Sequence, residues 1–357
     1  MPENKNNIGN TGIEVIEQLE EEKIIDIVNQ VAIRIMTAFP SHNLSYIEIY
    51  RTLLDTPMYY ARIPKGLSKA NYYYRDSSIY FSNNANISKV DEFVFHEFIH
   101  RLQERKDKKG NITRLGVCEV NELSVKGAAL NEAAIQFVTT KAFDMPKKQM
   151  NIYNITLPSR TEYYPIITNI ISQLAFLLGE DVLIDSTLNG NEEFKIDIID
   201  NIGENEYKFI EKNLNDILRI KNEISDIQNN MQLIEKWQGP ENPKAIEIND
   251  KSKAIKKIFF DIQNKIYTSY FDSLLKRTEN DLEVNLILKK LEEYKEYIGT
   301  AEDNIAFNIF FNDYTKRAEH RIEELKNKTA LVVLKDNFIY RFFRKIKRLF
   351  FNSKNEI

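Results

Sequence analysis

"KVDEFVFHEFIHRLQ", residues Lys89 to Gln103, contains an H-E-x-x-H pattern in which Glu97 directly follows the first of two histidines, His96 and His100. The chain of 357 residues has four histidines in all, so half of them lie in this stretch. Residues four positions apart share one face of a helix. The stretch therefore predicts a helix that presents two imidazoles side by side.

The flanking residues predict where this helix begins and ends. Ser88 followed by Asp91 is a capping-box pattern, in which a serine oxygen accepts a backbone N–H of the first turn and the acidic side chain reaches back. This pattern predicts that the helix begins near Lys89. Several lysines and Gly110 follow the motif and predict its end.

Two interpretations of the histidine pair are open. The first is an amphipathic helix whose histidines are partly exposed or hydrogen-bonded in the core. The second is a Zn²⁺ site, because two neutral imidazoles on one helical face can share a tetrahedral zinc ion. The second interpretation also gives Glu97 a task, since a carboxylate beside the metal can take a proton from a bound water and deliver it to a leaving amine. The complete five-residue pattern favours zinc.

A zinc site needs a third protein ligand, and no histidine follows His100 closely. The best candidate is Glu132 in "GAALNEAAIQF", residues 127–137, which lies 32 residues beyond His100 on a second predicted helix. That separation lets the chain leave the first helix, turn, and pack a second helix across it.

The pairing of "HEFIH" with "NEAAIQ" resembles the gluzincin metallopeptidases, the thermolysin-like group in which H-E-x-x-H precedes an Asn-Glu motif on a second helix. The resemblance covers about a third of the chain, roughly residues 72–179. It implies that His96, His100 and Glu132 are zinc ligands and that Glu97 is the general base. Gln136 stands where the group has an acidic residue that orients the first histidine, and its amide oxygen can still accept an imidazole N–H.

The resemblance also implies where a substrate and its oxyanion lie. "SSIYFSN", residues 77–83, fits the edge strand along which such enzymes bind an extended peptide, although an ordinary core strand is an equal alternative. Tyr163 and Tyr164 precede a predicted helix where the group often offers a hydroxyl to the oxyanion of the intermediate.

Composition limits the other function classes. The chain is 43% hydrophobic and 29% charged with a net charge of −4, which predicts a folded protein without a field that attracts nucleic acid. Its first residues do not form a secretion signal, no apolar run is long enough to span a bilayer, and the single cysteine cannot form an internal disulfide. We therefore expect a cytoplasmic protein.

The predicted fold class is α+β, mainly α, with a small β-sheet packed on the H-E-x-x-H helix and a helical C-terminal domain. The predicted organisation is a disordered N-terminus (1–12), a zincin-like metallopeptidase domain (13–200), a helical domain (201–330) and a basic amphipathic C-terminal helix (331–357). In residues 338–351, apolar and basic residues occupy opposite faces. Such a helix can bind an anionic membrane surface peripherally or dock on the protein's own helical domain.

Two functions follow from these patterns. The first is a zinc-dependent peptidase that acts on a peptide or protein substrate. The alternative is a non-catalytic helical interaction or membrane-peripheral protein with a structural or vestigial metal site. Glu97 favours the peptidase, because a structural site needs no carboxylate between its ligands.

Overall fold

The computed structural model describes residues 11–42, 44–64, 66–120, 125–232, 242–299 and 304–327. The predicted C-terminal helix (331–357) lies outside these residues, as does the predicted disordered N-terminus (1–12) except for its last two residues. The described part confirms the predicted fold class, α+β and mainly α.

The helices, in chain order, are α1 (Glu21–Ala38), α2 (Tyr46–Leu54), α3 (Glu92–Leu102), α4 (Ala128–Ala142), α5 (Pro165–Leu178), α6 (Glu180–Asn189), α7 (Glu193–Ile202), α8 (Glu204–Gln232), α9 (Pro243–Arg277), α10 (Asp281–Ile298) and α11 (305–327). The strands are β1 (Glu14–Gln18), β2 (Met58–Arg62), β3 (Ala70–Tyr73), β4 (Ser78–Ser82), β5 (Glu104–Lys106), β6 (Ile112–Leu115), β7 (Cys118–Val120), β8 (Val125–Lys126), β9 (Lys148–Ile152) and β10 (Ile155–Ser159).

The first sheet has the order β1-β2-β4-β3. β2 and β4 are parallel, whereas both outer pairs are antiparallel. Of the two interpretations of residues 77–83, the core strand is therefore correct, since β4 is hydrogen-bonded on both sides. The edge strand beside the H-E-x-x-H helix is β3, which packs on α3.

The helix that carries the histidine pair begins later than the capping pattern predicted. Asp91 is the N-cap of α3, because its Oδ1 accepts the backbone N–H of Val94 at 3.1 Å. Ser88 instead donates its hydroxyl to Asn86 at 2.6 Å. An aspartate satisfies a first-turn N–H as well as a serine does, so the second polar residue of the pattern, and not the first, starts the helix.

α4 lies at the centre of the fold and is buried on nearly all sides, with α1, α3, α5, α6 and α8 packed around it. Its N-cap is Gly127, which has no side chain to accept an N–H of the first turn. Asn215 on α8 supplies that acceptor, since its Oδ1 accepts the N–H of Ala129 at 3.1 Å. The long helix α8 is thus part of the structure that holds α4.

Contacts divide the chain into two compact units, 1–266 and 267–357. The predicted boundary at residue 200 lies within the first unit. The second unit has an aromatic core in which Tyr267, Tyr294, Phe307 and Tyr314 are fully buried. Among the described residues, no single helix has the length and hydropathy needed to cross a membrane.

Candidate metal centre

His96, His100 and Glu132 converge on one point between α3 and α4. Nε2 of His96 lies 3.2 Å from one carboxylate oxygen of Glu132, and Nε2 of His100 lies 3.3 Å from the other. One ligand atom from each residue lies within 4.8 Å of the others, so the group could hold a metal ion. The structure thus brings together the three ligands that the sequence predicted.

The two helices that carry the ligands are tied together next to the site. Asn131, the residue before Glu132, donates its amide to Oε1 of Gln103 at 3.1 Å, and Gln103 caps the C-terminus of α3. The Oδ1 of Asn131 accepts the N–H of Val117 at 3.2 Å. The neighbouring Gly116 has a φ of 56°, and a Cβ there would lie 2.3 Å from Asn131 Oδ1. Only glycine leaves room for this link.

A hydrogen-bonded chain behind the first imidazole fixes its orientation. Nδ1 of His96 lies 3.1 Å from Oε1 of Gln136, and the amide of Gln136 donates to the Thr161 hydroxyl at 2.8 Å. All three side chains are buried. When Gln136 accepts from Nδ1–H, the lone pair of Nε2 faces Glu132, as metal binding requires. The contact predicted for Gln136 is present, whereas Thr161 carried no signal in the sequence.

The second imidazole is held by a residue that the sequence analysis missed. The ring of Tyr72, on edge strand β3, stacks on His100 with centroids 5.8 Å apart and planes 8° apart. Its hydroxyl donates to Glu104, a buried carboxylate that also pairs with Arg101 and Lys106 at 3.1 Å each. In the sequence, Tyr72 stands in the tyrosine run "NYYYRD", residues 71–76, which lies upstream of the motif.

Glu97 is buried beside the three candidate ligands, and its Oε2 accepts the backbone N–H of Tyr72 at 2.7 Å. Burial raises the pKa of Glu97 to about 8, the charge of His96 opposes this rise, and the charge of Glu132 adds to it. In the metal-free protein, this carboxyl group can therefore both take up and release a proton near neutral pH.

The carboxylate of Glu132 behaves differently. Burial raises its pKa, but the proximity of His100 and His96 outweighs burial, and the net pKa lies well below the ordinary value. Glu132 therefore stays ionised at neutral pH, which is the form that binds a cation.

Tyr163 and Tyr164 lie on the His96 side of the site. The Tyr163 ring meets the His96 ring edge to face at 5.9 Å, and its hydroxyl lies 3.3 Å from the hydroxyl of Tyr164. Burial raises the pKa of Tyr163 to about 12 and raises the pKa of Tyr164 as well, so both hydroxyls keep their protons at neutral pH. Tyr164 has a φ of 54°, which is uncommon for a residue with a bulky side chain.

A cavity of about 430 Å³ opens beside Tyr163. It lies between Phe93 at the start of α3, the β9–β10 hairpin and residues 159–163. It is large enough for a side chain of a bound molecule.

Comparisons of the chain with known protein families, with curated proteins and with solved structures found no match.

Proposed function

We propose that the protein is a zinc-dependent peptidase that hydrolyses a peptide or protein substrate. The position of Glu97 carries this proposal, since it is buried next to His96, His100 and Glu132 and between the two histidines in sequence. The three candidate ligands would hold a structural metal without Glu97. A carboxylate able to exchange protons near pH 8 fits a site that performs general acid–base chemistry.

The donor set supports zinc. Two imidazoles and one carboxylate are the ligands of a catalytic zinc site that leaves the fourth position open. His96 and His100 would each give Nε2, and Glu132 would give a carboxylate oxygen. When bound, zinc would polarise the scissile carbonyl and lower the pKa of a water molecule to about 7.

Glu97 takes the proton from the attacking water in this proposal and passes it to the nitrogen of the leaving amine. Its burial excludes bulk water that would compete for the proton. Tyr163 and Tyr164 form a pair of protonated hydroxyls beside His96. They are the donors available to the oxyanion that develops on the substrate carbonyl.

The open edge of β3 is the proposed binding site for an extended peptide. β3 is the outer strand of its sheet and packs against α3, which carries both histidines. A peptide that pairs with β3 would bring its backbone past Tyr72 and next to Glu97. The cavity beside Tyr163 would take a side chain of that peptide.

Metal analysis and a cleavage assay test this proposal together. The purified protein should hold about one zinc ion per chain, and His96→Ala, His100→Ala and Glu132→Ala should each remove it. Glu97→Gln should keep the zinc and lose cleavage of a library of unstructured peptides by roughly 100- to 10,000-fold, because an amide cannot accept the water's proton.

The matched control is Glu21→Gln, which changes an exposed glutamate in the first turn of α1 in the same way. It should leave both zinc content and cleavage unchanged. Mass spectrometry with and without a chelator reads the products. Equal cleavage by wild type and Glu97→Gln, or no cleavage by the zinc-loaded wild type, would refute the proposal.

A further inference from the structure

Tyr72 makes three contacts that meet at the candidate site. Its N–H donates to Glu97 at 2.7 Å, its ring stacks on His100, and its hydroxyl is anchored by the buried Glu104. A single strand residue thus touches both the candidate general base and a candidate ligand. The ring and hydroxyl contacts fix the position of the backbone at this point of β3.

Within the described part of the chain, no strand pairs with the outer side of β3, and the N–H of Tyr72 lies on that side. Tyr72 is directly opposite Ile79 in the antiparallel pair of β3 and β4. Backbone groups along such a strand point alternately towards the partner and away from it. Because the Tyr72 N–H reaches Glu97 on α3 and not β4, the N–H and the C=O of this residue are the groups that β3 offers to an added strand.

An added peptide and Glu97 therefore compete for one donor. A peptide strand pairs with β3 by giving a backbone carbonyl to the N–H at this position. The same N–H holds Oε2 of Glu97 when no peptide is bound. Since the N–H already has a partner at 2.7 Å, Glu97 opposes peptide binding until the rest of the strand has paired.

We propose that Tyr72 is a positioning residue that couples peptide binding to release of the general base. Without a peptide, the backbone of Tyr72 holds Glu97 against the strand edge. Pairing of an extended peptide with β3 takes over the Tyr72 N–H, and the carboxylate of Glu97 becomes free to accept the proton of the attacking water. This inference rests on the proposed peptidase function, and it gives the enzyme an active base only when the edge is occupied.

Amide hydrogen exchange of the full chain, measured by NMR in the presence of a chelator, tests the contact without any catalysis. The Tyr72 amide should be protected in the wild type although it lies on an open edge. Glu97→Ala removes the acceptor and should speed its exchange at least about tenfold. Glu97→Gln keeps an acceptor of the same size and should exchange at nearly the wild-type rate, which controls for loss of the side chain's volume.

Retention of peptides tests the competition. The immobilised, metal-free proteins are exposed to the same library of unstructured peptides, and bound peptides are quantified by mass spectrometry. Glu97→Ala should retain at least about tenfold more peptide than the wild type, and Glu97→Gln about as much as the wild type, because only alanine leaves the Tyr72 N–H without a competing acceptor.

Equal exchange of the Tyr72 amide in wild type and Glu97→Ala overturns the inference. So does equal retention by the two proteins, or the absence of retention by both. Neither measurement uses zinc or turnover. Failure of the peptidase proposal would appear separately, as absence of cleavage by the zinc-loaded wild type.

Discussion

Replacing Gln136 by methionine tests how far a residue behind the ligands sets metal affinity. Methionine matches glutamine in length but has neither its amide donor nor its carbonyl acceptor. The substitution removes the contact of Oε1 with His96 Nδ1 at 3.1 Å and the hydrogen bond to Thr161 at 2.8 Å. The histidine and the threonine are both buried, so bulk water cannot replace the lost partner.

The expected loss of zinc affinity follows from which ring nitrogen of His96 carries the proton. With a metal on Nε2, Nδ1 must carry the proton, and in Gln136→Met that N–H is buried without an acceptor. An unsatisfied buried donor costs about 1–3 kcal/mol. At about 1.4 kcal/mol per factor of ten, zinc should bind roughly 5- to 150-fold more weakly. This range overlaps the roughly 10- to 100-fold loss typical when the partner of a metal-binding histidine is removed.

The metal-free protein should suffer less from this change. There, His96 can move its proton to Nε2 and donate to Glu132 at 3.2 Å. Gln136→Met should therefore lower the Tm only a little in the presence of a chelator. It should lower the Tm more in the presence of zinc, so that the rise in Tm produced by zinc is smaller than in the wild type. Competition with a chromophoric chelator measures the zinc affinity, and thermal unfolding with and without zinc measures the coupling.

Gln136→Glu is the matched control, because a carboxylate restores the acceptor for His96. Its zinc affinity should equal or exceed that of the wild type. If Gln136→Met folds and binds zinc within about twofold of the wild type, the contact with His96 does not orient a ligand, and the reasoning is wrong.

Two further predictions concern stability. The pKa of Glu97 is raised to about 8 in the folded, metal-free protein, so the stability it contributes is complete below its ordinary pKa of 4.5 and is lost as the pH rises towards 8. Glu97→Gln should remove this pH dependence. Chemical denaturation should find the variant more stable than the wild type by up to roughly 4 kcal/mol at pH 8 and equally stable near pH 4. A difference in stability that stays constant from pH 4 to pH 8 would contradict the shifted pKa. Asn215→Ala should destabilise the metal-free protein by about 1 kcal/mol, because the Ala129 N–H at the start of α4 loses its acceptor. Asn213→Ala is its control on the same helix, since Asn213 bonds only within α8, and equal losses of Tm would exclude a capping role for Asn215.

The candidate ligands could be predicted from the sequence because their spacing is a local property. His96 and His100 are four residues apart, so they share a helical face wherever the helix begins or ends. Glu132 is the first carboxylate on the next predicted helix. The contact of Gln136 with His96 was implied by the resemblance alone and not by the spacing. The two histidines depend on periodicity, which a sequence displays directly.

The start of α3 and the order of the first sheet could not be predicted in the same way. Ser88 and Asp91 are both good caps, and only the folded backbone decides which of them meets an N–H. β4 is central because β2, about twenty residues earlier, pairs with it in parallel, and no local pattern specifies such pairing. Tyr72 was missed for a related reason, since its role depends on which side of an edge strand its N–H faces.

The capping of α4 by α8 determines how short a fragment of the chain can be and still hold the candidate metal centre together. A fragment that stops at residue 200 would expose the buried face of α4 and leave its first turn without Asn215. The first part of α9 is also needed, because Gln263 donates to Gln173 on α5 at 3.3 Å and both side chains are buried. A shortened fragment made for crystallisation should therefore extend at least to residue 266.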